Sequence, residues 1–195
     1  MLAEVHGKRQ HVGQIVLGAI FMVVGPVVAL SGEAGSACIG IPFAVVGLGI
    51  AGKAVRHLLA QSAFEQLHFE ALEPVPLGGT AELRLALTPR KPLSLSGPSK
   101  VLVKCTEKAV YSAGTSNRTY EEDVYAAEDL LDLPTTLEGP FERKLTVDIP
   151  SHLPPTWRGK SNSFVTTVVV RVSVARWPDL VLEAEVVVLP EVLHA

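Results

Sequence analysis

Hydrophobic and polar positions follow two different rules along this chain, and the change falls near residue 60. Before it, apolar residues come in unbroken runs. Val12–Leu30 holds 19 residues without a formal charge, and Ala37–Gly52 holds 16. A bilayer core takes about 20 mostly apolar residues per helix, with a range of about 17–25. The first run meets that length, and the second does if it continues past Lys53 through Ala54, Val55, Leu58 and Leu59. The pattern predicts a transmembrane α-hairpin within residues 1–60, with helices at about 12–30 and 37–59. Over Lys53–Glu65, charged and apolar residues interleave, as expected of a membrane helix that runs out into water as an amphipathic turn or two.

After residue 60 the period becomes two. Residues 61–76 read as a juxtamembrane linker and first strand, with Leu67, Phe69 and Ala71 alternating with His68 and Glu70. Pro74, Pro76 and Gly78-Gly79 then mark a turn. In Thr80–Thr88, Ala81, Leu83, Leu85 and Leu87 face one way. Lys100–Lys108, Phe141–Ile149, Ser163–Ala175 and Leu180–Leu189 alternate in the same manner. About six to eight antiparallel strands result, and residues 66–190 are expected to form one β-sandwich. The Val-rich run Val168–Val172 is expected at the centre of a sheet, because so apolar an edge would aggregate. Ala113–Leu133 fits a long loop, an edge strand or a helical turn equally well.

Charge divides where the pattern does. Residues 1–60 carry Lys8, Arg9, Lys53 and Arg56 against Glu4 and Glu33, whereas the remainder holds 13 basic and 18 acidic residues. An acidic body without a basic cluster argues against nucleic acid as a partner, since neutralising phosphate needs grouped Lys and Arg. Lys8 and Arg9 precede the first run, and Lys53 and Arg56 follow the second. The connector Ser31–Ser36 has one acidic and no basic residue. Lys and Arg near membrane ends stay on the cytoplasmic side. The expectation is a multi-pass protein of the plasma (inner) membrane with its β-domain cytoplasmic. The basic start, apolar centre and Gly35-Ser36-Ala37 also suit a secretory signal, but the apolar centre exceeds the usual ~7–15 residues and a second run follows directly. Cys38 and Cys105 make no metal-ligand spacing and read as free thiols.

Candidate chemistry is sparse. Gly47-Leu48-Gly49-Ile50-Ala51-Gly52 is a literal G-x-G-x-x-G, which in a dinucleotide-binding oxidoreductase would let the backbone approach a pyrophosphate. Glu70 or Glu73 could supply the acidic residue expected about 20 positions on. That fold also needs repeated strand–helix–strand units, and nothing after residue 75 looks helical for long. Small residues also serve close helix packing in membranes, and Gly18 and Gly25 could face these glycines, within one chain or between copies in a homo-oligomer. The six histidines are scattered, and neither a P-loop nor G-x-S-x-G occurs. Asp148, Ser151 and His152 lie in one Pro-bearing loop, which reads as solvated. Glu121, Glu122, Asp123, Glu128, Asp129 and Asp132 lack the glycine and spacing of a Ca²⁺ loop and read as a solvated acidic face. No catalytic residue, cofactor site or metal site is assigned. Trp157 and Trp177, both at loops, are the candidates for binding a partner, because aromatic anchors are common at interfaces.

Thr146–Pro190 carries a resemblance. Asp148-Ile149-Pro150-Ser151-His152-Leu153-Pro154-Pro155-Thr156-Trp157 is followed by Gly159, a long strand Phe164–Ala175, a Trp177-Pro178-Asp179 turn and a last strand ending Val187-Val188-Leu189-Pro190. This is similar to the arrestin-like β-sandwich, itself immunoglobulin-like, in which a Leu/Ile-Pro strand end and a Pro-Pro-Ser/Thr crossover precede two closing strands. Arrestins proper have two lobes and a basic receptor-binding surface, whereas here there is one acidic lobe, so no family binding residue carries over. The resemblance implies a non-catalytic adaptor or scaffold that meets an unidentified protein partner at the lipid bilayer.

Overall fold

The structure, a computed structural model, describes residues 58–114 and 116–190, together with 45, 46, 48, 49, 52, 55 and 56. The chain divides into two compact units, Met1–Ala60 and Gln61–Ala195. In the first, the described residues from 45 onward are helical. The expected span at 12–30, the connector and the charges Lys8, Arg9 and Lys53 lie outside the described residues.

The second unit is almost wholly antiparallel β. One sheet has three strands in the order β1 (Phe64–Ala71), β3 (Thr80–Pro89), β8 (Phe141–Asp148). Its central strand shows why it forms: Ala81, Leu83, Leu85 and Leu87 are buried, whereas Glu82 and Arg84 face water. On that outer face Arg84 Nε donates to Glu142 at 2.7 Å, and Lys144 pairs with Glu82. Arg84 and Lys144 lie directly opposite each other, and each is met on the diagonal by an acid of the neighbouring strand.

The second sheet runs β11 (Leu180–Val186), β10 (Asn162–Val172), β5 (Ser99–Ala113), β6 (Ser116–Leu131), with the short β9 (Trp157–Arg158) paired to the start of β10. As expected from its composition, Val168–Val172 is central, flanked by β11 and β5. Strand pairing sets the inner face in rows. Leu182, Val170 and Val101 form one, Ala184, Val168 and Val103 the next, and Val186, Thr166 and Cys105 a third. These rows pack with the inner residues of the three-stranded sheet into one core. Two small pairs close the ends: β2 (Val75–Pro76) runs parallel to β12 (Val188–Leu189), and β4 (Leu93–Ser94) runs antiparallel to β7 (Thr136–Leu137).

Residues 113–133, open in sequence, hold most of β6. It runs 16 residues antiparallel to β5, turning at Gly114 with φ +67°. That backbone region suits glycine, which has no Cβ to clash. β5 and β6 outrun β10, whose pairing to β5 stops at Asn162↔Ala109, so they end as a two-stranded ribbon.

Two features of the core have measurable consequences. The hydroxyl of Thr166 is fully buried and has no hydrogen-bond partner among the described residues. It favours the ionised form of the Cys105 thiol beside it, yet without meeting hydrogen-bond geometry. An unsatisfied buried group costs roughly 1–3 kcal/mol. Thr166→Val is therefore expected to stabilise the full chain by about 1 kcal/mol in denaturant unfolding, whereas Leu85→Ala should cost about 2–5 kcal/mol. Burial pushes the Cys105 thiol up from its ordinary value of 9.0, partly offset by Thr166. A thiol that stays protonated longer when folded supports the fold below its unfolded pKa and loses that support as pH rises through the folded one. Wild type should lose stability above pH 9 more steeply than Cys105→Ala, measured as unfolding midpoints across alkaline pH.

Candidate functional site

The inner face of the larger sheet continues past its last buried row. Beyond Val186–Thr166–Cys105, strand pairing places Trp157 opposite Phe164, Phe164 opposite Glu107, and Glu107 opposite Glu122. The next row holds Asn162, Ala109 and Tyr120, and the last Tyr111 and Arg118. Exposure changes over this short distance. Thr166 and Cys105 are wholly buried, Phe164 and Glu107 half-buried, and Trp157, Glu122, Tyr120 and Tyr111 exposed.

The segment before Trp157 explains how that side chain is held. Pro154 and Pro155 have no N–H to give a strand ladder. Thr156 then ties the chain down: its N–H donates to the Val188 carbonyl at 2.8 Å, and its hydroxyl accepts from Val188 N–H at 2.9 Å. The same hydroxyl donates to the Val186 carbonyl at 3.2 Å. Two residues past Trp157, Gly159 N–H closes a tight hairpin onto the Asn162 carbonyl at 2.8 Å. A Cβ at Gly159 would lie 2.5 Å from Cη2 of the Trp157 ring, so the indole rests on bare backbone. Pro154, Pro155, Thr156 and Trp157, with Phe164 and Pro190, line an open apolar groove of about 420 Å³.

Two carboxylates follow Phe164 in its row. Glu107 and Glu122 sit directly opposite each other, and like charges so placed are destabilising. Glu122 accepts a hydrogen bond from the Tyr120 hydroxyl at 2.7 Å. That bond and the Glu122 charge, with a smaller effect of Glu107, raise the Tyr120 phenol above its ordinary value of 10.0. Glu107 has no cationic partner among the described residues. Two acids of β6 do: Lys108 pairs with Glu121 at 2.8 Å and Lys100 with Glu128, while Asp123 accepts from the neutral Thr106 hydroxyl at 2.6 Å.

Trp177 is elsewhere. It lies 40% exposed in the turn after β10, with its N–H donating to the Val174 carbonyl at 3.2 Å. Phe164 and Val172 are eight residues apart along β10, roughly 26 Å at strand rise. The two tryptophans therefore mark opposite ends of the sheet. Of the membrane-flanking charges, Arg56 is described, helical and exposed. Gly49 and Gly52 are helical with open space around them, and Val45 and Val46 are helical too, where a dinucleotide turn needs a strand running into its first glycine. Asp148 accepts from Thr80 at 2.9 Å, while His152 packs edge-on against Tyr125, so each is engaged elsewhere than with the other. Among the described residues, no cluster of His, Cys, Asp or Glu is arranged to hold a metal ion.

No protein-family model and no curated protein matches the chain. Among solved structures it is similar to Spo0M, a sporulation control protein from Bacillus subtilis, at 12% identity and a TM-score of 0.43. The match covers 63% of this chain and 48% of that one, so it spans about half the length of Spo0M. At that level the likeness carries no argument, and the reading below rests on the residues themselves.

Sequence reasoning singled out Trp157 but missed Phe164, Gly159, Glu107 and Glu122 as its surroundings. The glycine two residues past a tryptophan in a Pro-rich loop was the available signal. Its role is testable. In a Trp177→Phe background, Gly159→Val should displace the Trp157 ring and red-shift its emission while lowering the unfolding midpoint only slightly, as read by fluorescence and circular dichroism.

Proposed function

We propose that the protein is a membrane-anchored, non-catalytic adaptor whose arrestin-like β-sandwich binds a protein partner at the bilayer surface. One observation carries the anchor. Val45, Val46, Leu48, Val55, Leu58 and Leu59 are each helical and exposed. Placed at 100° per residue on an ideal helix, five of these positions fall within about 140° and Val46 on the opposite side, so apolar residues occur on both sides. Each such side chain gains on the order of 1.5–3 kcal/mol on leaving water, and lipid is a solvent that can accept every side of a helix at once. Among the described residues no helix is long and apolar enough to cross a membrane. The spans at about 12–30 and 37–59, and the cytoplasmic side for the β-domain, follow from the apolar runs and from Lys8, Arg9, Lys53 and Arg56.

The adaptor half of the reading is supported by the groove at Trp157. Ligand sites are mostly apolar concavities with a few placed polar groups, and interface anchors are enriched in Trp and Tyr. Of the polar side chains that most resemble a catalytic set, Asp148 accepts a hydrogen bond from Thr80 and His152 packs edge-on against the Tyr125 ring.

Placement is tested on membranes of cells producing the full chain. The protein should resist alkaline carbonate extraction and need detergent for release. In sealed right-side-out vesicles residues 66–190 should survive external protease until detergent is added. A chain that is soluble without detergent, or digested from outside, overturns the reading.

A further inference from the structure

The uncovered face at Trp157 combines an apolar groove with two carboxylates that repel each other, and this combination specifies an occupant. Resting on the adaptor reading above, we infer that this face binds an extended segment of the partner protein that carries a lysine or arginine beside apolar residues. The cation would sit over Glu107 and Glu122, and the apolar residues would enter the groove of Trp157, Phe164 and Pro155.

Geometry comes first. Strand pairing makes Trp157, Phe164, Glu107 and Glu122 consecutive across the sheet. Directly opposite residues lie about 4.5–5.5 Å apart at Cβ, so one extended segment laid across the row would meet aromatic ring, aromatic ring, carboxylate and carboxylate in turn. The indole needs no reorganisation to receive it, being propped on Gly159 and backed by a segment that Thr156 pins to β12. A surface held in its bound form loses less entropy on binding.

Charge selects the sign. Glu121 has a cationic partner in Lys108, whereas Asp123 and Glu122 accept only neutral hydroxyls, from Thr106 and Tyr120, and Glu107 has no cationic partner among the described residues. Glu107 and Glu122 face each other with only the neutral Tyr120 hydroxyl between them and relief. A ligand cation removes that repulsion, whereas an acidic segment adds to it. The rings of Tyr120 and Trp157 can also receive a cation on their faces. A second copy of this chain is a poor occupant, since β6 would bring the same acids against themselves.

The test uses the full chain in nanodiscs of uncharged phosphatidylcholine and two labelled peptides of equal length. One is a proline-leucine-lysine repeat; in the other every lysine is glutamate. The lysine peptide should bind, shift Trp157 emission in the Trp177→Phe background, and weaken with added salt. Glu107→Gln with Glu122→Gln should weaken it at least about tenfold, or 1.4 kcal/mol, while leaving the unfolding midpoint unchanged or higher. Trp157→Ala should weaken it comparably. Equal binding of the two peptides, no binding of either, or unchanged affinity in the double Gln variant overturns the inference. A photo-crosslinking residue in place of Lys160, beside the groove, or of Arg84, on the other sheet, separates this failure from that of the adaptor reading. Protein crosslinks in cells at Lys160 that vanish with the double Gln variant support the inference. Crosslinks at Arg84 alone leave the adaptor standing and refute this face. Crosslinks at neither position count against both.

Discussion

The constraint behind this sandwich is that its two sheets differ in size. β1, β3 and β8 have 8, 10 and 8 residues, whereas β10, β5 and β6 have 11, 15 and 16. A sheet buries its apolar face only where another layer lies over it. Where the smaller sheet reaches, the larger one carries Val168, Val170, Val172 and Val103, all buried in a common core. Where it stops, the same strands on the same face carry Phe164, Glu107, Glu122 and Tyr120. Core and candidate site are thus successive rows of one surface, distinguished by whether a second layer covers them.

The overhang brings the hazard of a long free edge. Among the described residues β6 has no strand on its outer side, and a bare 16-residue edge is a template for unwanted pairing. The sequence answers with charge and with irregularity. Glu121, Glu122, Asp123, Glu128 and Asp129 crowd the edge, and the register breaks between Cys105 and Thr106, leaving Val124 as an extra residue. Bulges twist an edge and interrupt its ladder. The ion pairs to Lys108 and Lys100 are exposed and contribute roughly 0–1 kcal/mol each. They set register and solubility more than stability.

This difference in cover also explains what could be read from the sequence. β3, β10 and β11 were legible because one face of each is buried, and the alternation Ala81, Leu83, Leu85, Leu87 writes that directly into the residues. β6 was not, because nearly all its positions are exposed, and a strand wet on both sides has no apolar period to detect. Trp157 was legible as an aromatic in a Pro-rich loop. Its partners were not, since Phe164, Glu107 and Glu122 come from three different strands and meet only through pairing.

The bulge decides which side chains join the site. Up to Cys105↔Tyr125 the two strands keep regular register, and continuing it would place Glu107 opposite Asp123 and Lys108 opposite Glu122. Tyr120 would then fall opposite Val110, on the outer face. The extra residue at Val124 shifts all later pairs by one, and a one-residue slip sends each side chain to the other face. Lys108 thereby faces Glu121 in place of Glu122 and forms an ion pair with it, and Glu107 faces Glu122 in place of Asp123. Tyr120 arrives on the face that holds Phe164 and Trp157. In either register a lysine of the outer face meets a glutamate and Glu107 meets an acid, so the inserted residue changes which side chains join the face, bringing in Glu122 and Tyr120 in place of Asp123. The repulsion kept at Glu107 and Glu122 makes physical sense if a cation from another molecule completes it.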